Sequence, residues 1–151
     1  VFAKKINFLN NPINKKLFGE HKTVRGFISA IIASIIFLYL QVYLYNFDFI
    51  KKLSLIDYSQ TNIFLLGFLA GFGAIGGDLV KSYFKRKRKI KPGESWFPYD
   101  QLDFIFGALI LVYPITKLRL KNIIILLLIT PFLHIAINHI GYHLGLRNEK
   151  W

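Results

Sequence analysis

The chain reads as an all-α integral membrane protein, a bundle of about four transmembrane helices. Three observations predict this class. Of its 151 residues, 54% are apolar and 17% aromatic. The apolar residues gather in four long runs, and most of the 20 Lys and Arg lie between those runs. No cysteine is present, so neither a disulfide framework nor a thiolate metal site is available. The formal charge of +12 would suit a nucleic-acid binder. Cations placed between long apolar runs belong instead at lipid headgroups, and no nucleic-acid partner is expected. The length suits a single membrane-embedded domain over residues 1–151.

The first run, from Phe27 to Tyr45 (27–45), has 19 residues without a charge, close to the ~20 that cross the hydrocarbon as a helix. It is too long and too far from the start for a signal-peptide core, and no A-x-A cleavage site follows. The second run predicts a helix over 61–79 that continues past Asp78 into a Lys/Arg stretch. The third, over 102–116, is short and contains Pro114. The fourth, over 122–141, has 20 residues with Pro131 near its middle. No β-structure is expected, because irregular backbone at membrane depth must be covered by protein or line a cavity. A chain starting at Val1 without Met predicts further sequence upstream.

Basic residues set the orientation. Six Lys and Arg precede Phe27, seven lie between Lys81 and Lys91, and two lie near the end, fifteen on one side. The other side holds five: Lys51, Lys52, Lys117, Arg119 and Lys121. By the positive-inside rule, the segment 80–101 faces the cytoplasm, in a multi-pass protein of the cell membrane.

Residues 71–78 read GFGAIGGD and contain G-x-G-x-x-G. That pattern marks a dinucleotide site only between a strand and a helix of a βαβ unit. Here it lies in a membrane run. Gly67 and Gly71, and then Gly73 and Gly77, form two G-x-x-x-G pairs. Small residues at that spacing let helix backbones approach closely in lipid, so close packing is the expectation.

The chemistry is expected just beyond, in GDLVKSYFKRKRKIKPGESWFPYDQLD. On a continuing helix Asp78, Lys81, Ser82 and Lys85 share a face, with Arg86 beside them. The bland reading of the basic run is a topology anchor on anionic lipid. Asp78 resists it, since an acid at a membrane-embedded helix end is costly unless paired or metal-bound. Asp100 and Asp103 share a face at the start of the third run. Helix-end electrostatics accounts for acids there. Three carboxylates beside a Lys/Arg column also suit Mg²⁺ carrying a polyphosphate. Upstream, Lys22, Thr23 and Arg25 offer phosphate-binding groups at the membrane boundary.

These stretches resemble the CDP-archaeol synthases, relatives of the phosphatidate cytidylyltransferases. The resemblance lies in PINKKLFGEHKTVRG (12–26), GDLVKSYFKR (77–86), PYDQLDF (98–104) and the tail from 134 to 151. The larger relatives carry S-x-x-K-R after G-D, then a basic linker and D-R-x-D; here the last element is Asp100-Gln101-Leu102-Asp103. Gln for Arg, and the missing His-Gly-Gly before it, weigh against a phosphatidate enzyme more than against nucleotidyl transfer. The resemblance implies a fifth, N-terminal spanning helix upstream of Val1. It also implies a Mg²⁺-dependent enzyme in phospholipid biosynthesis that transfers CMP from CTP to digeranylgeranylglyceryl phosphate and releases pyrophosphate. On that reading Asp78, Asp100 and Asp103 bind metal, and Lys85 joins them as a catalytic residue. Lys22, Thr23, Arg25, Ser82, Lys85, Arg86 and Lys91 would bind CTP and phosphate. A phosphatidate cytidylyltransferase and a non-enzymatic basic membrane protein remain alternatives. The enzymes that replace CMP with an alcohol carry D-G-x-x-A-R and a long-spaced G-x-x-x-D-x-x-x-D, which this chain lacks. His134 with Asn138, and His139 with His143, sit one helical turn apart and read as sources of interhelical hydrogen bonds rather than a zinc site, with His134 and Asn138 expected to line a polar cavity. Oligomeric state has no signal in the sequence.

Overall fold

The computed structural model of the chain describes residues 11–19, 22–91, 94 and 96–145. Among these the secondary structure is helical apart from one isolated bridge between Pro12 and Thr23. A short helix α1 (Lys15–Phe18) precedes α2 (Val24–Leu44). Then follow a short α3 (Asp48–Leu53), a 3₁₀ turn (Tyr58–Gln60), α4 (Ile63–Lys87), α5 (Tyr99–Thr116) and α6 (Leu120–His143). Helices α2, α4 and α6 are long and apolar enough to cross a membrane. Helix α5, with 18 residues, carries Asp100 and Asp103 near its start and lies against α4.

The predicted bounds shift for local reasons. Helix α2 starts at Val24 because the Thr23 hydroxyl accepts the Gly26 N–H, and α4 starts at Ile63 because Asn62 caps Leu65 in the same way. Helix α4 continues to Lys87, so the segment expected as a loop from residue 80 begins as helix and leaves the helix only at Arg88. Pro114 and Pro131 each remove one rung of the hydrogen-bond ladder without ending α5 or α6.

Large apolar side chains face outward: Ile36, Ile110 and Phe132 are 63%, 70% and 74% exposed. In a bilayer that surface meets lipid. The buried side chains include Leu66, Leu109 and Val112, but also Ser82, Lys85, Gln101 and Asn138. The interior is therefore polar at one end of the bundle.

Helix α4 is the hub. A Cβ placed on Gly67 would lie 2.9 Å from the Cα of Ile35, and one on Gly71 2.9 Å from the Cα of Ile31, both on α2. On its other side, side chains at Gly73 and Gly77 would overlap the backbone of Gly107 and Asp103 in α5. The two G-x-x-x-G pairs thus serve two different seams. The G-x-G-x-x-G pattern lies wholly inside a helix, which removes the strand–turn–helix setting of a dinucleotide fingerprint.

Candidate active site at the α4–α5 end

The glycine seam sets the register of the site. Helices α4 and α5 are joined by a reversing loop and touch at Gly77 against Asp103 and Gly107. One turn further along α4 stands Lys81, and one turn back along α5 stand Asp103 and Asp100. The three N–H donors of the Lys81 ammonium are matched by three carboxylates. Its Nζ lies 3.1 Å from Asp78 Oδ1, 3.1 Å from Asp100 Oδ1 and 2.7 Å from Asp103 Oδ2. A turn further on, Lys85 Nζ donates to Asp100 Oδ2 at 3.1 Å and to the Glu94 carbonyl.

The second oxygen of each carboxylate is anchored elsewhere. Asp78 Oδ2 pairs with Lys22. Asp100 Oδ2 accepts the Trp96 N–H at 2.6 Å as well as Lys85, and Asp103 Oδ1 accepts the Phe104 N–H at 2.8 Å. Lys22 reaches the site because residues 11–13 pair with 22–24: Ile13 N–H donates to the Lys22 carbonyl at 2.8 Å, Val24 N–H donates to the Asn11 carbonyl at 3.1 Å, and α1 packs on α4. Lys22, Lys81 and Lys85 balance Asp78, Asp100 and Asp103 charge for charge. Exposure falls inward, from 29% at the Asp78 side chain to 6% at Asp103.

Of the residues picked from sequence, the fold joins Asp78, Asp100, Asp103, Lys22 and Lys85 into one network. Thr23 is used as the α2 cap, and Arg25 sits half-buried in the first turn of that helix. Ser82 is buried on α4. The Arg86 Nε is buried with no hydrogen-bond partner among the described residues, and so is the Gln101 Oε1. Lys91 is exposed; its backbone N–H donates to Glu94 Oε2 at 3.0 Å. Lys81, at the centre, is the residue the sequence reading left without a role. Its spacing of three from Asp78 was the available signal.

Among the described residues no group of three or more His, Cys, Asp or Glu side chains closes on a point as a ready metal cluster. The three acids stand apart around Lys81. Their chemistry still suits a divalent ion, for two reasons. They present hard oxygens, as Mg²⁺ takes, and each carboxylate is fixed from behind by an independent donor, as metal ligands usually are.

Beside the cluster a cavity of about 690 Å³ runs along the α4–α5 seam. Its walls are largely apolar, with Phe72, Val80, Phe84, Phe106 and Ile110 among them, and the small side of α4 at Gly73 and Gly76 leaves room for it. Lys81 and Asp103 belong both to this wall and to the charged network. At the loop end Arg88 lies over the Trp96 ring, 5.1 Å from its centroid, and Trp96 packs on Tyr99.

On α6 the His134–Asn138 pair meets within the helix, whereas His139 turns to a backbone carbonyl of the preceding turn rather than to His143. Asn138 Nδ2 lies 3.4 Å from His134 Nδ1, and His139 Nδ1 lies 3.0 Å from the Ile135 carbonyl. The His134 ring meets Phe104 of α5 at 5.9 Å between centroids.

The profile of the family described as CarS-like, CDP-archaeol synthase, matches residues 4–151. The chain belongs to the CDP-archaeol synthase family. Among curated proteins it is similar to the CDP-archaeol synthase of Methanospirillum hungatei, 34% identical over 143 residues, covering 91% of this chain and 82% of that one. It is similar to the CDP-archaeol synthase of Thermococcus kodakarensis at 35% over 137 residues, covering 91% and 75%. It is also similar to that of Archaeoglobus fulgidus at 34% over 141 residues, covering 91% and 78%. No solved structure matches the chain. Membership of this family sets aside the non-enzymatic and phosphatidate alternatives.

Proposed function

We propose that the chain transfers CMP from CTP to an isoprenoid-ether glycerol phosphate held in the membrane, forming CDP-archaeol and releasing pyrophosphate, at the cytoplasmic end of α4 and α5. The observation that carries this reading is the junction at Lys81 and Asp103, where a charge-matched polar network opens into an apolar groove. A nucleotide triphosphate suits the first and a lipid chain the second.

The chemistry asks little covalent help from the protein. An oxygen of the lipid phosphate attacks the α-phosphorus of CTP; the bond from that phosphorus to the bridging oxygen breaks, and the electron pair leaves with pyrophosphate. A phosphomonoester is ionised near neutral pH, so no Ser or Cys nucleophile and no general base is required. The difficulty is bringing two polyanions together in line. Asp78, Asp100 and Asp103 would hold Mg²⁺, which supplies charge neutralisation for the triphosphate and the leaving group. Lys85, Arg86 and Lys22 bind phosphate oxygens, the buried and unpartnered Nε of Arg86 being a donor in want of an acceptor. Ser82, Thr23, Arg25 and Lys91 lie around the same end as further phosphate contacts. The groove orients the lipid so that its phosphate emerges beside Lys81.

Membranes carrying the protein, incubated with CTP labelled at the α-phosphorus and offered either an isoprenoid-ether phosphate or phosphatidate, test the reading. Mg²⁺-dependent label in the ether-lipid extract is the expected result. Label only in the phosphatidate arm, or none from correctly inserted protein, would overturn it.

A further inference from the structure

Lys81 occupies a peculiar position for a residue on a phosphate-binding face. Its ammonium spends all three donors on carboxylates, so none remains for a phosphate. Lys22, the Trp96 N–H with Lys85, and the Phe104 N–H hold the opposite oxygen of each acid, and Lys85 also reaches the Asp100 Oδ1 that Lys81 touches, at 3.3 Å. Three carboxylate oxygens therefore surround a single ammonium at 2.7 to 3.1 Å, without closing among themselves into a metal cluster, and the position between them holds one positive charge. Lys81 is 15% exposed and held on α4, whose register against α5 is locked by Gly73, Gly77 and Gly107.

We propose that Lys81 is a resident counter-cation. It fills the divalent-ion position while the nucleotide is absent, and it yields that position when metal and triphosphate arrive together, turning its ammonium to the phosphates. The inference rests on the reading that Asp78, Asp100 and Asp103 hold a divalent cation. Charge balance supports the exchange. With three lysines against three acids the network is neutral, so a bare divalent ion entering it must displace an ammonium already bound at each of its ligands. A divalent ion carried by a triphosphate brings its own anion, which gives the displaced ammonium a new partner. Binding of metal and CTP is then mutually reinforcing, by thermodynamic necessity in both directions. A buried three-acid site without Lys81 would instead attract divalent ions indiscriminately and keep them, because like charges that close repel strongly in a poorly hydrated setting.

The test titrates Mn²⁺ into the purified full chain in lipid nanodiscs, without lipid acceptor, following free Mn²⁺ by electron paramagnetic resonance. The wild-type protein should bind Mn²⁺ weakly alone and about tenfold or more tighter with CTP, a coupling of ordinary size. Lys81→Met keeps the stem of the side chain and removes the charge. It should bind Mn²⁺ without CTP about tenfold tighter than wild type, and CTP should add less. Mn²⁺ binding by Lys81→Met as weak as that of wild type would overturn the proposal. Should the wild-type protein bind no Mn²⁺ even with CTP, the metal reading itself falls, and this inference with it. A second measurement needs no variant. Reductive methylation of the wild-type protein, read by peptide mass spectrometry, should modify Lys81 slowly at rest, little differently with Mg²⁺ alone, and at a several-fold changed rate once Mg²⁺ and CTP are present together. Labelling of Lys81 that does not respond to Mg²⁺ and CTP together would contradict the exchange.

Discussion

The two ends of α4 both gather polar groups, and they do so in opposite ways. At the end that starts the helix, Asp57 Oδ1 accepts the Ser59 N–H at 3.0 Å, the Ser59 hydroxyl at 2.7 Å and the Tyr45 hydroxyl at 3.3 Å. Lys51 lies 5.5 Å from the centroid of the Tyr45 ring. These contacts shape an exposed connection, and Asp57 satisfies its hydrogen bonds locally. At the far end, three half-buried acids from two helices meet three lysines from two segments, and residues close in sequence do not account for it. A turn needs only its own neighbours. A charge network partly withdrawn from water costs desolvation free energy unless its partners are in place.

The largest contrast is expected from the acids themselves. Asp103→Asn and Asp78→Asn should each lower CMP transfer by at least about 100-fold, read as label in the lipid extract, whereas Asp57→Asn should leave it within about twofold of the parent. Equal losses at the two ends would erase the distinction. Next in size is the seam. Gly77→Leu drives a side chain into the Asp103 carbonyl and should cost about 1–3 kcal/mol of stability, seen as a lower melting temperature in detergent. Gly76→Ala, where a Cβ meets nothing within 4 Å, should be tolerated. Smaller again is Lys22→Ala, which leaves α4 and α5 intact. It should weaken CTP binding by about tenfold, near 1.4 kcal/mol, in a filter-binding titration. The smallest effect is a pH dependence at the exposed end. Hydrogen bonds from the Ser59 hydroxyl and backbone hold the Asp57 carboxyl below its usual range, against partial desolvation. A depressed folded-state pKa means that its contribution is complete above the ordinary carboxylate range and fades only as pH falls through the lowered value. Mild acidification that stays above that range should therefore not loosen this turn, as judged by amide exchange of Ser59.

Most of the architecture was legible in the sequence because apolar run length and basic flanks are local properties. The four runs became α2, α4, α5 and α6, with ends moved by two or more residues where Thr23 and Asn62 supply caps and where α4 continues through its charged turns. The short α1 and α3 were not legible, since their few residues carry no periodicity of their own. In the site, the shared face of Asp78, Lys81, Ser82 and Lys85 followed from helical spacing, and so did that of Asp100 and Asp103. What spacing could not give is the meeting of those faces. That depends on Gly73 and Gly77 fitting Gly107, which fixes the antiparallel register to within one turn and sets Lys81, rather than Lys85, between all three acids. The fold-back that delivers Lys22 to Asp78 depends in the same way on the bridge at Pro12 and Thr23.

Whether carboxylates from α4 and α5 act as one ion-binding unit is open to a direct measurement, a double-mutant cycle on the affinity for the Mn²⁺–CTP complex. Asp78→Asn and Asp103→Asn each remove one wall of a shared site. The account predicts that the double variant loses little more than either single one, a strong departure from additivity. Losses that simply add would contradict it, since they would mean that the two acids bind independently.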